Sequence, residues 1–333
     1  MAKDIQDAAL GCLSGALVGD AAGATLEFIG RKPTDEEVRN AMTMPGGGFL
    51  KVAPGQITDD GELTLCLARA LAESKSFDDE KIARNYADWI RSRPFDVGAT
   101  TRHSLGCFLD VEWKDVCLQE GYAAGMGQSA YYRCLESKAN GSLMRATPIG
   151  IWAHRLKAND VALIAREDSR LSHPNKSCRD AVACYSIAIA HLMNHLGDRK
   201  GAFEKVAEWA DSNAVAEVCE WLEDARQNID VPYHPQIGFI KIAFTHAFRH
   251  LLLGTEYVEA IRETLAGGGD TDTNACIVGG LIGEADGVDR IPDAMKTAVL
   301  NCDTSLGRHP RPDWLQAKQV PELIIRLLAN APG

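Results

Sequence analysis

The sequence predicts an all-α protein in which residues 1–333 form one domain, and three observations support this prediction. Apolar residues recur at the three- and four-residue spacing of amphipathic helices. No convincing alternation of polar and apolar residues predicts a strand, and no linker rich in serine, proline or glycine divides the chain. The helical spacing is most regular in residues 59–73, 180–196, 238–253 and 257–265.

Composition and charge exclude several classes of function. Hydrophobic residues make up 46% of the chain and charged residues 24%, which is typical of a globular protein. The net charge is −11, from 35 Lys and Arg against 46 Asp and Glu, whereas nucleic acids and anionic membranes bind positively charged surfaces. We therefore expect neither general nucleic-acid binding nor membrane association.

The chain also lacks the sequence signals of membrane insertion and secretion. Its best apolar run, residues 275–283, is much shorter than the ~20 residues that a membrane-spanning helix needs. The N-terminus carries early acidic residues and does not read as a signal peptide. The ten cysteines lack metal-binding spacing and are typical of reduced thiols, so we expect a cytoplasmic protein.

The first helix carries a glycine at every fourth position, namely Gly11, Gly15, Gly19 and Gly23, and Glu27 continues the series. Four-residue spacing keeps these positions near one face of a helix. Because glycine lowers helix stability, the stripe favours close packing against another backbone. The alternative is a smooth floor of a pocket with Glu27 at its rim, and for Glu27 itself a site role and a structural role stay open.

Two acidic clusters of similar construction precede predicted helices. Thr58, Asp59 and Asp60 open the first, and residues 270–273, with the sequence DTDT, open the second. Mg²⁺ and Mn²⁺ prefer such oxygen ligands, and four carboxylates brought together repel one another unless cations lie among them. Two metal ions ~3.5–4 Å apart are common in hydrolytic sites. Helix capping is the alternative, but it explains one acid per helix rather than two.

Three loop segments could contribute to a site. Residues 140–145, with the sequence NGSLMR, begin with a turn whose backbone amides can approach an anion. We interpret Arg145 as the anchor of a buried carboxylate rather than as a phosphate ligand. His173 precedes a long helix and is a ligand-binding or a structural histidine. Asp96 lies in the glycine- and proline-containing loop 94–98, which could border a site.

Taken together, these motifs resemble the ADP-ribosylglycohydrolase family, whose members include dinitrogenase reductase-activating glycohydrolase and the ADP-ribosylarginine hydrolases. The resemblance runs in family order from about residue 10 to residue 292. It rests on the segments GCLSGALVGDAAGATLEF, ITDDGELTL, PFDVGATTR, NGSLMRATPIG, SRLSHPNKSCRDA and GGGDTDTNACIVGGLIG. The resemblance implies an all-α orthogonal helical fold and a monomer.

The resemblance also implies roles for individual residues. Asp60 and Glu27 match catalytic positions: Asp60 would assist the attacking water, and Glu27 would transfer a proton or clasp the substrate. Two Mg²⁺ ions, with Mn²⁺ as the alternative, would be held by Thr58, Asp59, Asp60, Asp270, Asp272 and Thr273. The substrate would be bound by Asp96, which matches an acidic residue of the substrate cleft, and by Asn140, Gly141, Ser142 and His173, which match contacts to ADP-ribose. Many members have threonine at the position of Gly61, which leaves the preferred metal open.

The function implied is that of a metal-dependent hydrolase that cleaves the glycosidic bond at C1″ of ADP-ribose and releases it from a modified target. The PFDVG loop resembles that of the arginine-type bacterial members, and this resemblance favours ADP-ribosyl-arginine on an ADP-ribosylated protein as the substrate. One alternative is the same chemistry on serine, on a small ADP-ribose derivative or on modified nucleic acid. Others are a non-catalytic ADP-ribose-binding relative and an immunity protein that counters an ADP-ribosylating toxin.

Overall fold

The computed structural model describes residues 4–333, and this part of the chain contains 17 α-helices joined by short loops. In place of strands it has only isolated bridges, between Gly47 and Val52 and between Ala139 and Phe239. The predicted all-α class is therefore confirmed. The helices are α1 (Ile5–Gly23), α2 (Asp35–Ala41), α3 (Asp59–Leu71), α4 (Asp79–Arg91), α5 (Ala99–Leu105), α6 (Val111–Gln119), α7 (Tyr122–Cys134), α8 (Thr147–Trp152), α9 (Ala158–Arg170), α10 (Lys176–Asn194), α11 (Arg199–Asn213), α12 (Ala216–Arg226), α13 (Ile240–Leu253), α14 (Tyr257–Gly267), α15 (Thr271–Asp286), α16 (Asp293–Leu300) and α17 (Val320–Ala329).

The four stretches with helical spacing correspond to α3, α10, α13 and α14. Helix α10 starts before the predicted stretch because Asn175 caps it, accepting a hydrogen bond from the Ser177 amide at 3.0 Å. Helix α13 starts later than predicted. Its preceding residues pair with another loop instead, since the Gly238 carbonyl accepts a hydrogen bond from the Asn140 amide at 3.1 Å.

Helices α1 and α15 pack antiparallel with their backbones in direct contact. A Cβ atom added to any of the four stripe glycines of α1 would lie 2.0–2.3 Å from a carbonyl oxygen of α15. No side chain fits in that space, so the prediction of tight helix packing is confirmed. In chain order Gly11, Gly15, Gly19 and Gly23 meet the carbonyl oxygens of Gly283, Gly279, Ala275 and Thr271.

This contact determines where the acidic segments lie. The C-terminal end of α1 meets the N-terminal end of α15, so residues 20–27 come next to the cluster at 270–273. Around this pair, buried apolar side chains form one continuous core that extends from Ala8 on α1 to Leu327 on α17. All ten cysteines are free thiols, as expected. None of the helices in residues 4–333 is both long and apolar enough to cross a bilayer.

Candidate active site

Three helix ends converge on a buried group of carboxylates. Asp20 of α1, Asp60 of α3 and Asp272 of α15 bring one oxygen each to within 4.8 Å of one another. Glu27, Asp270 and Asp272 form a second such group. Asp272 belongs to both, so the two acidic segments that the sequence singles out meet in one site, which we call the acid cluster.

Asp20 links α1 to the start of α3. Its carboxylate accepts hydrogen bonds from the Thr58 amide at 3.0 Å, from the Thr58 hydroxyl at 2.8 Å and from the Gly61 amide at 2.8 Å. It therefore caps α3, although it lies 38 residues away in the chain. Sequence reasoning missed Asp20 as a site residue; the signal present was a carboxylate inside the otherwise apolar and small-residue stretch 11–24.

The same contact explains the glycine at position 61. A Cβ atom on Gly61 would lie 2.6 Å from Asp20 Oδ2 and 2.9 Å from the Ile57 Cβ atom. A threonine at this position would therefore displace Asp20 or the start of α3. The glycine that this chain has at position 61 therefore makes room for Asp20, the residue that caps α3.

Helix capping does not account for the acids of the two clusters. Thr58 and Asp270 occupy the N-cap positions of α3 and α15, and neither side chain caps its own helix. In the described residues Asp60 Oδ1 and Glu27 Oε2 are buried without a hydrogen-bond partner. Buried carboxylate oxygens that lack a donor are costly, so these two atoms point to a cationic ligand.

The donors present fit a hard divalent cation. The acid cluster offers only oxygen atoms, and the fully buried ion pairs of the described chain, Arg145–Asp168 and Arg311–Glu62, leave its carboxylates without a cationic partner. Mg²⁺ and Mn²⁺ bind such oxygen sets. Acidic residues that could hold metal are thus present.

Burial and mutual repulsion raise the pKa values throughout the cluster. Burial raises the pKa of Asp20 to about 7, and burial followed by the charge of Asp96 raises the pKa of Glu27 to about 9. Burial is also the main reason why the pKa values of Asp60 and Asp272 lie well above their ordinary range. Without a cation, the cluster therefore retains protons near neutral pH, and cation binding would displace them.

Asp59 and Asp96 lie beside the cluster. Asp59 is 8% exposed but belongs to neither close group. Burial is the main cause that raises the pKa of Asp59, and the charges of Asp96 and Glu27 raise it further. The three carboxylates are therefore close enough for their charges to interact. Asp96 is half-buried in the loop between α4 and α5. The adjacent Phe95 ring stacks on His309 with centroids 4.4 Å apart, which holds this loop against the C-terminal part of the chain.

The two predicted threonine ligands also reach the cluster. The Thr58 hydroxyl lies 3.1 Å from Asp60 Oδ2 and 3.5 Å from Asp272 Oδ2. Burial is the main cause that raises the pKa of Asp60, and a hydrogen bond from Thr273 partly offsets this rise. The structure therefore brings five of the six predicted metal ligands together, namely Thr58, Asp60, Asp270, Asp272 and Thr273, and Asp59 lies beside them.

The segment 140–142 borders the cluster on another side. Asn140 Nδ2 donates to Asp270 Oδ2 at 2.7 Å. A Cβ atom on Gly141 would lie 3.0 Å from the His173 Cε1 atom, so the glycine allows these two loops to approach. Ser142 is fully buried, and its hydroxyl accepts a hydrogen bond from Ser169 at 3.0 Å.

His173 is buried and neutral. Burial, followed by the charge of Arg145, lowers the pKa of His173 to about 3. Its Nδ1 atom lies 2.9 Å from the Ser172 hydroxyl, whereas Nε2 has no partner in residues 4–333. Arg145 donates to Asp168 Oδ2 at 3.0 Å and to the Ser172 hydroxyl at 2.8 Å. Arg145 is therefore an anchor, as predicted, and it holds the His173 loop.

A second buried ion pair connects α3 to the Asp96 loop, and no sequence pattern indicated it. Arg311 donates to both Glu62 oxygens, at 2.7 and 2.8 Å. It also donates to the carbonyl oxygens of Ser92 and Arg93, at 2.8 and 3.1 Å. The helix that carries Asp59 and Asp60 and the chain leading to Asp96 thus share one buried arginine.

Comparisons with known proteins show what this chain is similar to. The family model described as ADP-ribosylglycohydrolase matches residues 1–330. The chain is 30% identical to ADP-ribosyl-[dinitrogen reductase] glycohydrolase of Rhodospirillum rubrum, over 86% of this chain and 88% of that protein. It is 32% identical to ADP-ribosylarginine hydrolase Tri1 of Pseudomonas putida (strain GB-1), over 56% of this chain and 46% of that protein. A solved ADP-ribosylglycohydrolase-related protein complex has the same fold, with a TM-score of 0.75, 23% identity and 99% coverage of each chain.

Proposed function

The chain belongs to the ADP-ribosylglycohydrolase family, and from that membership we propose that it hydrolyses the bond between ADP-ribose and an arginine side chain of a modified protein, using two divalent cations. The observation that carries the proposal is the pair of carboxylate groups that share Asp272. Thr58, Asp59, Asp60, Asp270, Asp272 and Thr273 would hold the cations. When bound, these ions neutralise the carboxylates and supply Lewis acidity to the oxygens of the ribose and of the water that reacts.

The protein's own groups would handle the protons. Asp60 Oδ1 has no hydrogen-bond donor in the described residues. It would accept the proton of the attacking water while the oxygen of that water bonds to C1″. The C1″–N bond breaks in the same reaction, and the leaving nitrogen takes a proton from Glu27. Glu27 is 8% exposed and its Oε2 is likewise unpaired. Asp20 would act through α3, because the amides of Thr58 and Gly61 and the Thr58 hydroxyl already engage its oxygens.

The nucleotide part of the substrate would lie along the segments next to the cluster. Asn140 fixes Asp270 through its amide, and Gly141, Ser142 and His173 would contact ADP-ribose. The free Nε2 atom of His173 supports this assignment, since a buried ring nitrogen without a partner is available to a ligand.

The charge around the cluster favours arginine over serine as the modified residue. Asp96 lies beside Glu27 and Asp59, so its charge adds to the repulsion within the site. A carboxylate at this position attracts the guanidinium of ADP-ribosyl-arginine, whereas the neutral oxygen of a serine linkage gains nothing from it.

The test is release of ADP-ribose from defined substrates. ADP-ribosyl-arginine peptide, ADP-ribosyl-serine peptide and ADP-ribosylated DNA are incubated with the protein, with Mg²⁺ or Mn²⁺ and with chelator, and Asp60→Asn is the control variant. We expect cation-dependent release from the arginine peptide and almost none from Asp60→Asn. Release from serine or DNA alone would refute the arginine assignment, and equal release by wild type and Asp60→Asn would refute the proposed chemistry.

A further inference from the structure

A cavity of about 360 Å³ lies next to the loop that carries Asp96. Pro94 and Val97 of that loop line it, together with Arg93, Arg102 and His103. The charge of Asp96 itself acts on Glu27 and Asp59, since it raises the pKa of both after burial has done so. One short loop therefore separates the acid cluster from a cavity whose charged lining is mainly basic.

The basic side chains of this cavity are unpaired within the protein. In residues 4–333 the side chains of Arg93, Arg102 and His103 form no hydrogen bond and no ion pair, and all three residues are exposed. The acid in the cavity wall, Asp110, pairs instead with Arg133 at 2.5 Å. The chain has a net charge of −11, so the positive charge of this cavity is opposite in sign to that of the protein as a whole.

The backbone that presents Arg93 is fixed. Arg93 has φ 56°, a left-handed conformation that is uncommon for a residue with a side chain. The buried Arg311 holds it there by donating to the carbonyl oxygens of Ser92 and Arg93 while it pairs with Glu62 at 2.7 Å. Such conformations persist where the surrounding structure imposes them, and they cluster at functional sites.

The cavity lies on the outer side of α5, away from the segments assigned to ADP-ribose. The inner side of α5 carries Ser104, which donates to the Ser172 carbonyl at 3.1 Å, and Thr101, which is close to Gly141. Arg102 and His103 are exposed on the other side. An anion in the cavity would therefore not be a phosphate of a nucleotide that lies along Gly141 and His173.

We propose that this cavity binds a carboxylate-bearing segment of the ADP-ribosylated protein, next to the modified residue, and so selects acidic sequences around it. The inference rests on the proposed function. Arginine pairs with carboxylates through two parallel hydrogen bonds, and Arg93 and Arg102 offer two such groups. An acidic substrate protein would otherwise be repelled by the acid cluster and by the net charge of −11.

The experiment compares two ADP-ribosyl-arginine peptides that differ only in whether aspartates or serines flank the arginine. The enzymes are wild type, Arg93→Gln/Arg102→Gln and the control Arg290→Gln, whose arginine is exposed, makes no side-chain pair in residues 4–333 and lies beyond the far end of α15. For wild type we expect kcat/KM to be about three- to tenfold higher for the acidic peptide, the size expected for two exposed ion pairs. This ratio should approach one in the double variant and at high salt, and Arg290→Gln should keep it.

Other results of this experiment would contradict either the cavity proposal or the proposed function. A wild-type ratio of one would overturn the proposal, and so would an equal loss for both peptides with weaker ADP-ribose binding, which would assign the cavity to the nucleotide. If wild type releases ADP-ribose from neither peptide, the proposed function fails instead. Calorimetry with the unmodified peptides then tests the cavity alone: tighter binding of the acidic peptide that the double variant loses supports it, and equal binding refutes it.

Discussion

The carboxylate of Asp20 on α1 accepts a hydrogen bond from the Thr58 hydroxyl at 2.8 Å, and this bond ties the glycine-rich helix to the start of the helix that carries Asp59 and Asp60. Because Asp20 also accepts from the Gly61 amide, its removal leaves buried donors unpaired in the centre of the molecule.

Asp20→Ala should therefore lower both stability and turnover. Unpaired buried donors cost roughly 1–3 kcal/mol of unfolding free energy, and α3 would no longer hold Asp60 in place. Asp78→Ala is the matched control, since Asp78 caps α4 at the surface by accepting from Lys81 at 2.9 Å. The control should lose about 0.5–2 kcal/mol without losing turnover. Urea denaturation with Mg²⁺ present and hydrolysis assays measure both; full turnover by Asp20→Ala would contradict the assignment.

Chelation should destabilise the protein. A ligand that binds only the native state adds about 2.7 kcal/mol at a hundredfold excess over its Kd. The melting temperature should therefore fall in chelator and recover on addition of Mg²⁺ or Mn²⁺. Asp60→Asn should show a smaller recovery, because it lacks one carboxylate of the cluster. An unchanged melting temperature in a preparation verified to be metal-free would argue strongly against a cation site.

Asp60 and Asp272 should behave as one catalytic unit. If they belonged to separate helix caps, each change to alanine would cost about 0.5–2 kcal/mol of stability and spare turnover, and the costs would add. Since they lie in one cluster, each single change should nearly abolish hydrolysis, and the double variant should be scarcely worse. A double-mutant cycle on turnover measures this, with folding checked in parallel. Near-normal hydrolysis by both single variants at saturating Mg²⁺ would reject the site.

His173 and Ser142 should affect the affinity for ADP-ribose while leaving the metal bound. His173→Ala removes a ring nitrogen that has no partner in the described residues, and Ser142→Ala removes a buried hydroxyl. We expect weaker ADP-ribose binding in both variants by calorimetry, and an unaltered stabilisation by Mg²⁺. Wild-type affinity in both would leave these residues with a structural role only.

His173 should also make stability depend on pH. Burial lowers the pKa of His173 from its ordinary value of 6.5 to about 3, so below pH 6.5 the unfolded chain binds a proton that the folded protein excludes. Its contribution to stability is complete above pH 6.5 and is lost as the pH falls towards 3. Relative to His173→Gln, wild type should lose up to about 1.4 kcal/mol of unfolding free energy per pH unit below 6.5. Denaturant unfolding at pH 7, 6 and 5 measures this difference; a constant difference would mean that the ring is accessible to protons.

The features that the sequence predicted correctly are those whose residues repeat at a regular spacing or lie close together in the chain. The four-residue glycine spacing predicted the close helix contact, because glycine lowers helix stability and the close approach of another backbone is the natural compensation. The segments 58–60 and 270–273 predicted a shared cation site, because both supply the carboxylate and hydroxyl oxygens that Mg²⁺ and Mn²⁺ prefer. Asp20 was missed because a single carboxylate in an apolar helix does not show that its partners lie at Thr58 and Gly61.

Long-range pairs were beyond what the sequence could indicate. Arg311 meets Glu62 across 249 residues, and neither lies in a recognisable motif. The basic cavity depends on the orientation of α5, which places Arg102 in the cavity lining and Thr101 next to Gly141, although these two residues are neighbours in the chain. Local periodicity describes a helix face but does not show what faces it.

The glycine contact between α1 and α15 makes the geometry of the acid cluster depend on residues that lie outside the cluster. Gly11 lies roughly 18 Å along the helix from Gly23 at 1.5 Å per residue, yet a Cβ at Gly11 would lie 2.2 Å from the Gly283 carbonyl oxygen. A methyl group there would separate or tilt the same two backbones that carry Asp20 and Asp272. Intolerance to substitution should therefore extend along the glycine stripe from Gly11 to Gly23, and a search for functional positions restricted to the neighbourhood of the acid cluster would overlook most of this stripe.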